Sequence, residues 1–593
     1  MVDLFFSKRI LLLVGLMALI AVFAACSGDD EDTNVAPPAA VPTSAPVQGL
    51  TGNLTTPDAT AVPAAPAATA MPVMATAPKT KRVVLGLIPP GVLSNSHTAL
   101  GSTSVFPLKP MYEYLMDTDP NTRQLIPGLA KSWSIEPDGA GLRFFLEENV
   151  PFHDTDGNVA GFMTADDVAW TREDIIVPTS INSIRALMRN ALVEIVNDYE
   201  IVFKWELPDA DALDFIGNQV GGMEVSSRAD ALTLDVPTLK DRPINGTGPY
   251  VFQSRSQEQN IVYRKLSDEH WRIPGDFEEI EMRWLPESST RLAALLAGEV
   301  HMTTIPFDSE PTALAEGMKI VTGKVNTMRT YMQFNGVYLK DAKDPSSGYL
   351  YPDSPLMDKN VRQALNKAIN RDALNTAFFF DLATKMTAIH VAESHGAFNP
   401  RWNTEFEAKY GYDPAAAKAL LAESGYNAAN PLKHNTFILN VTQYSGGPDV
   451  VEAIGAMWQE IGVDVNFVTM DGAAVSAAQR NLELNNHTQL GVLIAPPILA
   501  LRLGHHTSSP RGGGAESYTV EASFEKARRT LDLVEQNKFL QASTDDIYDS
   551  FLSVPLFWVP VHAVVNPDVV EDWIFPGTVS GTWTHFWNII GTR

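Results

Sequence analysis

The residues with the strongest claim on chemistry are the adjacent histidines His505 and His506, in the stretch LRLGHHTSSPRGGG. Neutral imidazoles ligate zinc and related metals, but neighbouring histidines on an extended chain point to different sides, and a pair without a third ligand makes no closed site. His390 and His395 stand five positions apart, off the i, i+4 face on which a helical metal motif depends, and read as structural. Nucleophilic and phosphate chemistry find no support either. The chain carries no GxxxxGK[ST] loop, no HExxH and no GxSxG elbow. The run Arg511–Gly514 sits in a polar stretch and not between a strand and a helix, so it reads as a flexible turn. Single acids are common and none is set apart. The expectation is a protein that is not an enzyme and holds no cofactor or resident metal.

Binding residues still need elements to hold them. Runs such as KRVVLGLI (from Lys81), LRFFLEE, EIVFKWEL, GPYVFQS, QNIVYRKL and FEEIEMRWL predict strands. STRLAALLAGEV, DKNVRQALNKAINRDALNTAFF, DPAAAKALLAESGY and DVVEAIGAMWQEIG predict helices. In the second of these, Val361, Leu365, Ile369 and Leu374 lie near one face. Asp413 before Pro414, and Thr164 before ADDVAW, carry the chemistry of helix starts. Strands and helices interleave throughout, which makes the class α/β. A chain of 593 residues is too long for one core. Its 44 basic and 70 acidic residues, net −26, exclude a general phosphate-binding surface and hence nucleic acid as a partner.

At the N-terminus, Lys8 and Arg9 precede an unbroken apolar or small-residue run of 16, Ile10 to Ala25. That is short of the ~20 residues of a spanning helix and right for a signal peptide, assigned to residues 1–25. Cys26 follows, the only cysteine, so no disulfide can form within the chain. Residues 26–80, rich in Ala, Pro and Thr, cannot bury enough surface to order themselves and read as a disordered linker. Even as a flexible coil it would reach roughly 40 Å. Ala24, Ala25 and Cys26 resemble the lipobox of bacterial lipoproteins, with Phe23 in place of the usual aliphatic residue. The resemblance implies that Cys26 carries a diacylglyceryl group. Two or more acyl chains anchor stably where a single myristoyl chain does not, so the expected location is outside the cytoplasm, tethered to a membrane by lipid.

From Tyr112 onward the chain resembles the family 5 extracellular solute-binding proteins, the large binding proteins of peptide, nickel and related ABC importers. The matching elements are Pro127-Gly128-Leu129-Ala130 with Trp133, Pro137-Asp138-Gly139, Phe152-His153-Asp154 and Thr164-Ala165-Asp166-Asp167-Val168. GTGPY (Gly246–Tyr250), AALLAGEV, YMQFN (Tyr331–Asn335) and VRQALNKAINRDAL (Val361–Leu374) follow in the family's order. Most of these residues also have plain structural jobs as turns, caps and, for Arg362 and Arg371, salt bridges. The resemblance implies a two-lobed periplasmic-binding-protein type II fold with an extra inserted domain, like the three-domain oligopeptide-binding proteins. One lobe would span 81–329, with the insertion at about 112–240; the second would span 330–561, and 562–593 would return to the first. Hinges are expected near Met328–Asn335 and Leu556–Val564. The implied function is to capture a peptide or other organic solute between the lobes, as a monomer, and deliver it to a permease whose ATPase subunits are other chains.

Departures from the family bear on the ligand. Peptide-binding members carry a Trp and an Asp in a second-lobe loop, the Asp pairing with the peptide's ammonium. The corresponding stretch here, Gln489–His506, has neither and places Ala495-Pro496-Pro497 in the loop. A buried ammonium without a carboxylate is costly, so the expected ligand is an organic solute other than a simple di- or tripeptide, or a peptide held through its backbone. His301 stands where the family has Asp. Family position suggests Asn95, Ser96 and His97 on the first lobe, and Asn335, His505 and His506 on the second, as ligand contacts. A nickel or metal-chelate ligand is the alternative within the family. Outside it, a lipid-anchored hydrolase would need a nucleophile–base pair that the sequence lacks.

Overall fold

Among the described residues, three β-sheets of four or more strands organise the chain in the computed structural model, beside three two-stranded ones. The structure describes residues 77–593, apart from 91, 101–103, 183, 211, 214–215, 219–221, 235–241, 257, 267–269, 326–327, 439–446, 471, 494, 510–512 and 577–583. The expected signal peptide, Cys26 and the linker as far as residue 76 lie outside the described residues.

The first sheet has seven strands, in the order Tyr250–Ser256, Asn260–Lys265, Glu279–Trp284, Arg82–Leu87, Met302–Thr303, His562–Val565 and Lys319–Thr322. The strand that opens the folded body, RVVLGL, lies between two parallel partners and is buried from Val83 to Leu87. A strand covered on both faces reads as a continuous apolar run and not as an alternation. His301 is locked into this sheet: its Nδ1 accepts from the Val84 amide at 3.1 Å, a structural use of the position where the family has an acid.

The second sheet has six strands, in the order Thr384–Lys385, Ser553–Val559, Met328–Asn335, His487–Leu493, Lys433–Ile438 and Asp464–Thr469. MRTYMQFN and SVPLFWV are buried along their whole lengths. Met328–Asn335, expected as a connecting segment, is therefore an inner strand of this sheet. The chain passes between the sheets just before it, between Thr322 and Met328, and again between Val559 and His562. The two crossings touch where the Gly323 amide donates to Val561 O at 2.9 Å.

Between residues 112 and 240 the chain builds the third sheet, four antiparallel strands formed by Ala130–Ile135, Gly141–Leu146, Glu200–Lys204 and Leu192–Asn197. The helix Ala165–Ile175 packs on it and starts in a capping box of Thr164 and Asp167. The signature tyrosine run ties this sheet down. Glu113 is fully buried and accepts from Arg272 Nε and Nη2 at 3.0 and 2.9 Å and from Trp271 Nε1 at 2.9 Å. Burial opposes its ionisation, but Arg272 and His270 hold its carboxyl at about 2.

The signature glycines serve close approach. A Cβ at Gly246 would stand 2.0 Å from Met111 O, and one at Gly248 would stand 2.6 Å from Met111 C. Backbone cannot yield as a flexible side chain can, so Gly246→Ala should lower unfolding stability by about 1–3 kcal/mol. Urea denaturation followed by tryptophan fluorescence would measure it.

The long helical run at Val361–Leu374 is two helices, Lys359–Lys367 and Arg371–Phe379. Asn370 ends the run because its side chain accepts from the Ala373 amide at 3.0 Å and caps a new start. Arg362 and Arg371 form no salt bridges among the described residues; both wrap carbonyls instead. Arg362 donates to Ser550 O and Leu356 O, and Arg371 donates to Pro555 O, Asn366 O and Tyr410 O. The reason is position: each faces the ends of neighbouring elements, where carbonyls lack partners.

Candidate functional site

Arg329, Tyr331 and Gln333 alternate along the inner strand Met328–Asn335 and so share one face of the second sheet. Arg329 is fully buried. Its Nη1 donates to Ala495 O at 2.6 Å, its Nη2 to His390 O at 3.0 Å, and the guanidinium lies 5.0 Å from the Trp558 ring centre. Nε has no partner. The Ala495-Pro496-Pro497 turn thus has a physical role: it offers a carbonyl to the buried arginine and starts the helix Pro497–His505.

His390 sits over this face in the left-handed region, at φ 65°, with no exposed surface and neither ring nitrogen hydrogen-bonded among the described residues. Its ring meets Tyr331 edge-on at 5.1 Å and His505 at 5.6 Å. Gly504 leaves room for it, since a Cβ there would come within 3.1 Å of His390 Nε2. His505 donates from Nδ1 to Ala515 O at 2.9 Å, which leaves Nε2 as an acceptor without a partner. Burial drives His390 well below the usual imidazole range, with Arg329 and His505 adding to the shift. Burial likewise lowers His505 to about 4. Both rings are neutral at physiological pH.

The first lobe reaches this cluster through the turn of its hairpin Met116–Thr118 and Leu125–Pro127. Burial, with the Arg123 charge on that turn adding to it, lowers Arg329 to about 9. His395, packed 6.4 Å from Trp558, is lowered to about 3 by burial and then by Arg329 and Arg123. No carboxylate among the described residues contributes to either shift. The site therefore sets the Arg329 guanidinium among neutral imidazoles, with no carboxylate of the described residues beside it. Such a set can receive an anionic group on the Arg329 guanidinium, and it offers an ammonium no carboxylate.

Of the residues expected from sequence, only His505 belongs to this cluster. His506, next to it, turns away: Nδ1 pairs with Ser508 Oγ at 2.7 Å and Nε2 faces Glu521 Oε2 at 3.1 Å. Asn335 is buried at the far end of the inner strand, roughly 20 Å from Arg329 at about 3.3 Å per residue. Its Nδ2 donates to Gln333 O at 3.3 Å. Asn95 and Ser96 follow the first strand of the first sheet. Asn95 Oδ1 accepts from Arg255 Nη1 at 2.6 Å, and Ser96 Oγ lies 2.8 Å from Thr98 Oγ1. His97 opens the one-turn helix His97–Ala99. Sequence reasoning missed Arg329 and passed over His390 as structural. The available signal was an arginine just ahead of the signature run YMQFN.

The lobes also touch away from the crossings. The Ala210 amide donates to Arg528 O at 2.8 Å, Arg528 Nη2 to Asp209 Oδ2 at 3.1 Å and Arg529 Nη1 to Pro208 O at 3.0 Å. Among the described residues no three His, Cys, Asp or Glu side chains form a metal-binding group, and no helix is long and apolar enough to cross a membrane.

The family model for bacterial extracellular solute-binding proteins, family 5 middle, matches residues 124–494, more than half the chain. Heme-binding protein A of Haemophilus influenzae is 27% identical over 418 residues, which cover 66% of this chain and 70% of that protein. The dipeptide-binding protein of Escherichia coli is 26% identical over 396 residues, covering 64% and 69%. The solved structure of HbpA2 from Haemophilus parasuis superposes with a TM-score of 0.70 at 20% identity, covering 86% of this chain and all of that one. The fold is that of the two-lobed periplasmic binding proteins of the oligopeptide-binding type. The chain belongs to the bacterial extracellular solute-binding proteins of family 5.

Proposed function

We propose that this solute-binding protein of an import system closes its lobes on an organic solute bearing a carboxylate, and carries it to a membrane permease. The observation that carries the anionic preference is Arg329, a fully buried guanidinium with two carbonyl partners and no acid. An uncompensated buried cation is costly, and Arg123 brings a second positive charge toward it. A ligand carboxylate would offset the Arg329 charge. The crossings after Thr322, at 323–325, and after Val559, at 560–561, are the proposed hinges. A solute touching both lobes favours the closed form by the contacts it makes only there, and the Asp209–Arg528 contact adds to that form. Of the contacts expected from sequence, His505 joins Arg329 in the proposed set; Asn95, Ser96, His97, Asn335 and His506 lie outside it. The similarity to a dipeptide-binding protein and to heme-binding protein A supports an organic solute.

The unpartnered Nε2 of His505 favours a second reading, a metal chelate that brings most of its own ligands. Cys26 is the proposed lipid attachment and the protein a proposed monomer. The test is to purify the protein without exchange, denature it, and identify the released small molecule by mass spectrometry. The expected species carries a carboxylate; a released cation or a solute without acidic groups would overturn the reading.

A further inference from the structure

The second lobe contains a cavity of about 290 Å³ that shares none of the residues around Arg329. Everything lining it lies between Val337 and Leu552, so one lobe forms it and closure is not required. Two of its lining groups are charged, Arg362 and Asp546, and they make no ion pair with each other. Arg362 is almost fully buried. Its Nε donates to Ser550 O at 2.9 Å and its Nη1 to Leu356 O at 2.6 Å, which leaves Nη2 without a hydrogen bond among the described residues. Asp546 accepts from the Ser517 hydroxyl through Oδ2, which leaves Oδ1.

Between these poles stand two tyrosines, Tyr349 and Tyr518, edge-on at 6.1 Å. The Tyr518 hydroxyl is used on the backbone, donating to Gly348 O at 3.1 Å. The Tyr349 hydroxyl makes no hydrogen bond among the described residues and is held in its neutral, donating form by burial and by the neighbouring Tyr518. Val337, Met357 and Leu552 supply apolar wall. A guanidinium and a carboxylate that face one space without neutralising each other are complementary to a molecule carrying both charges. The volume is at the small end of ligand pockets, which run from roughly 300 to 1,000 Å³.

We propose that this cavity binds a small zwitterion of the size of a free α-amino acid. The carboxylate accepts from Arg362 Nη2 and the Tyr349 hydroxyl, the ammonium donates to Asp546 Oδ1, and the side chain lies against the apolar wall. The site is separate from the cationic cluster, which has no acid to receive an ammonium, and it is independent of the reading given to that cluster.

The experiment is equilibrium binding of individual free amino acids to the full-length protein, alongside their N-acetyl and carboxamide derivatives. At least one free amino acid should bind, and blocking either end should weaken it at least tenfold, about 1.4 kcal/mol. Asp546→Asn, close to isosteric, should lose binding by a similar factor while its melting curve stays cooperative. Tyr349→Phe provides a second, milder loss. Arg329→Gln should retain the binding, which places it outside the cluster. The proposal is overturned if no amino acid binds at millimolar concentration, if N-acetylated forms bind as well as free ones, or if Arg329→Gln abolishes the binding.

Discussion

Arg329→Gln is expected to weaken binding of the carried solute at least a hundredfold and to leave the protein folded. The size follows from what the guanidinium does. Charge-assisted hydrogen bonds to a desolvated carboxylate contribute about 1.5–3 kcal/mol each, and a bidentate pair more than one of them. Glutamine keeps one donor for Ala495 O or His390 O, so one of the two carbonyls now bonded to Arg329 loses its partner. That loss costs stability about 1–3 kcal/mol. Removing a buried charge with no carboxylate beside it works in the opposite direction, because the desolvation penalty disappears. Binding therefore suffers far more than folding. Calorimetry with the co-purified solute and chemical denaturation of the same variant separate the two. A variant that unfolds outright, or one that binds as tightly as the parent, contradicts the assignment.

The second large effect is acid destabilisation. His390, His434 and His505 are essentially inaccessible to solvent. Burial, the largest cause in each case, lowers His434 and His505 to about 4 and His390 well below its ordinary value. His434 is held in its neutral form between Asn486 Oδ1 at 2.8 Å and Thr488 Oγ1 at 3.1 Å. In the unfolded chain the same rings protonate near 6.5. Between about pH 6.5 and pH 4 the unfolded state therefore binds more protons than the folded one, and stability falls as pH falls. Above that window the contribution is complete and constant. Three such groups remove about 4 kcal/mol between pH 7 and pH 5.5.

Glu516 opposes this. Burial raises it to about 8, so its folded form holds a proton that the unfolded chain releases above its ordinary value of 4.5. The resulting cost at neutral pH shrinks on acidification by about 2 kcal/mol over the same range. His395 and His506, lowered to about 3 and about 4, add to the histidine side, so the net expectation is a loss of stability by pH 5.5 that continues toward pH 4. Urea unfolding at a series of pH values measures it. A stability that stays flat or rises from pH 7 to 5.5 would show that the rings are not held neutral.

The two effects bear on what a sequence can disclose. Turns, caps and sheet-forming runs were legible because their causes are local: Thr164 caps its helix and Asp413 starts its own, each through a side chain reaching three residues ahead. The family signature was legible because its residues cluster along the chain. The break at Asn370 was misread because an apolar stripe continues across it, and one cap outweighs the stripe. The cluster around Arg329 was out of reach for a different reason. His390, Arg329 and His505 lie more than fifty positions apart pairwise, and only the strand order of the second sheet brings them together. The ion pairs expected for Arg362 and Arg371 failed because charge in a sequence suggests opposite charge, whereas buried arginines here meet carbonyls.

The most direct measurement compares the carried solute with its carboxamide on the parent protein and on Arg329→Gln, by titration calorimetry. A carboxylate held against Arg329 predicts that the parent binds the acid at least tenfold more tightly than the amide, a difference of about 1.4 kcal/mol. It predicts too that Arg329→Gln binds both equally and weakly. A parent protein that takes acid and amide with equal affinity, or a variant that keeps the preference, would contradict it.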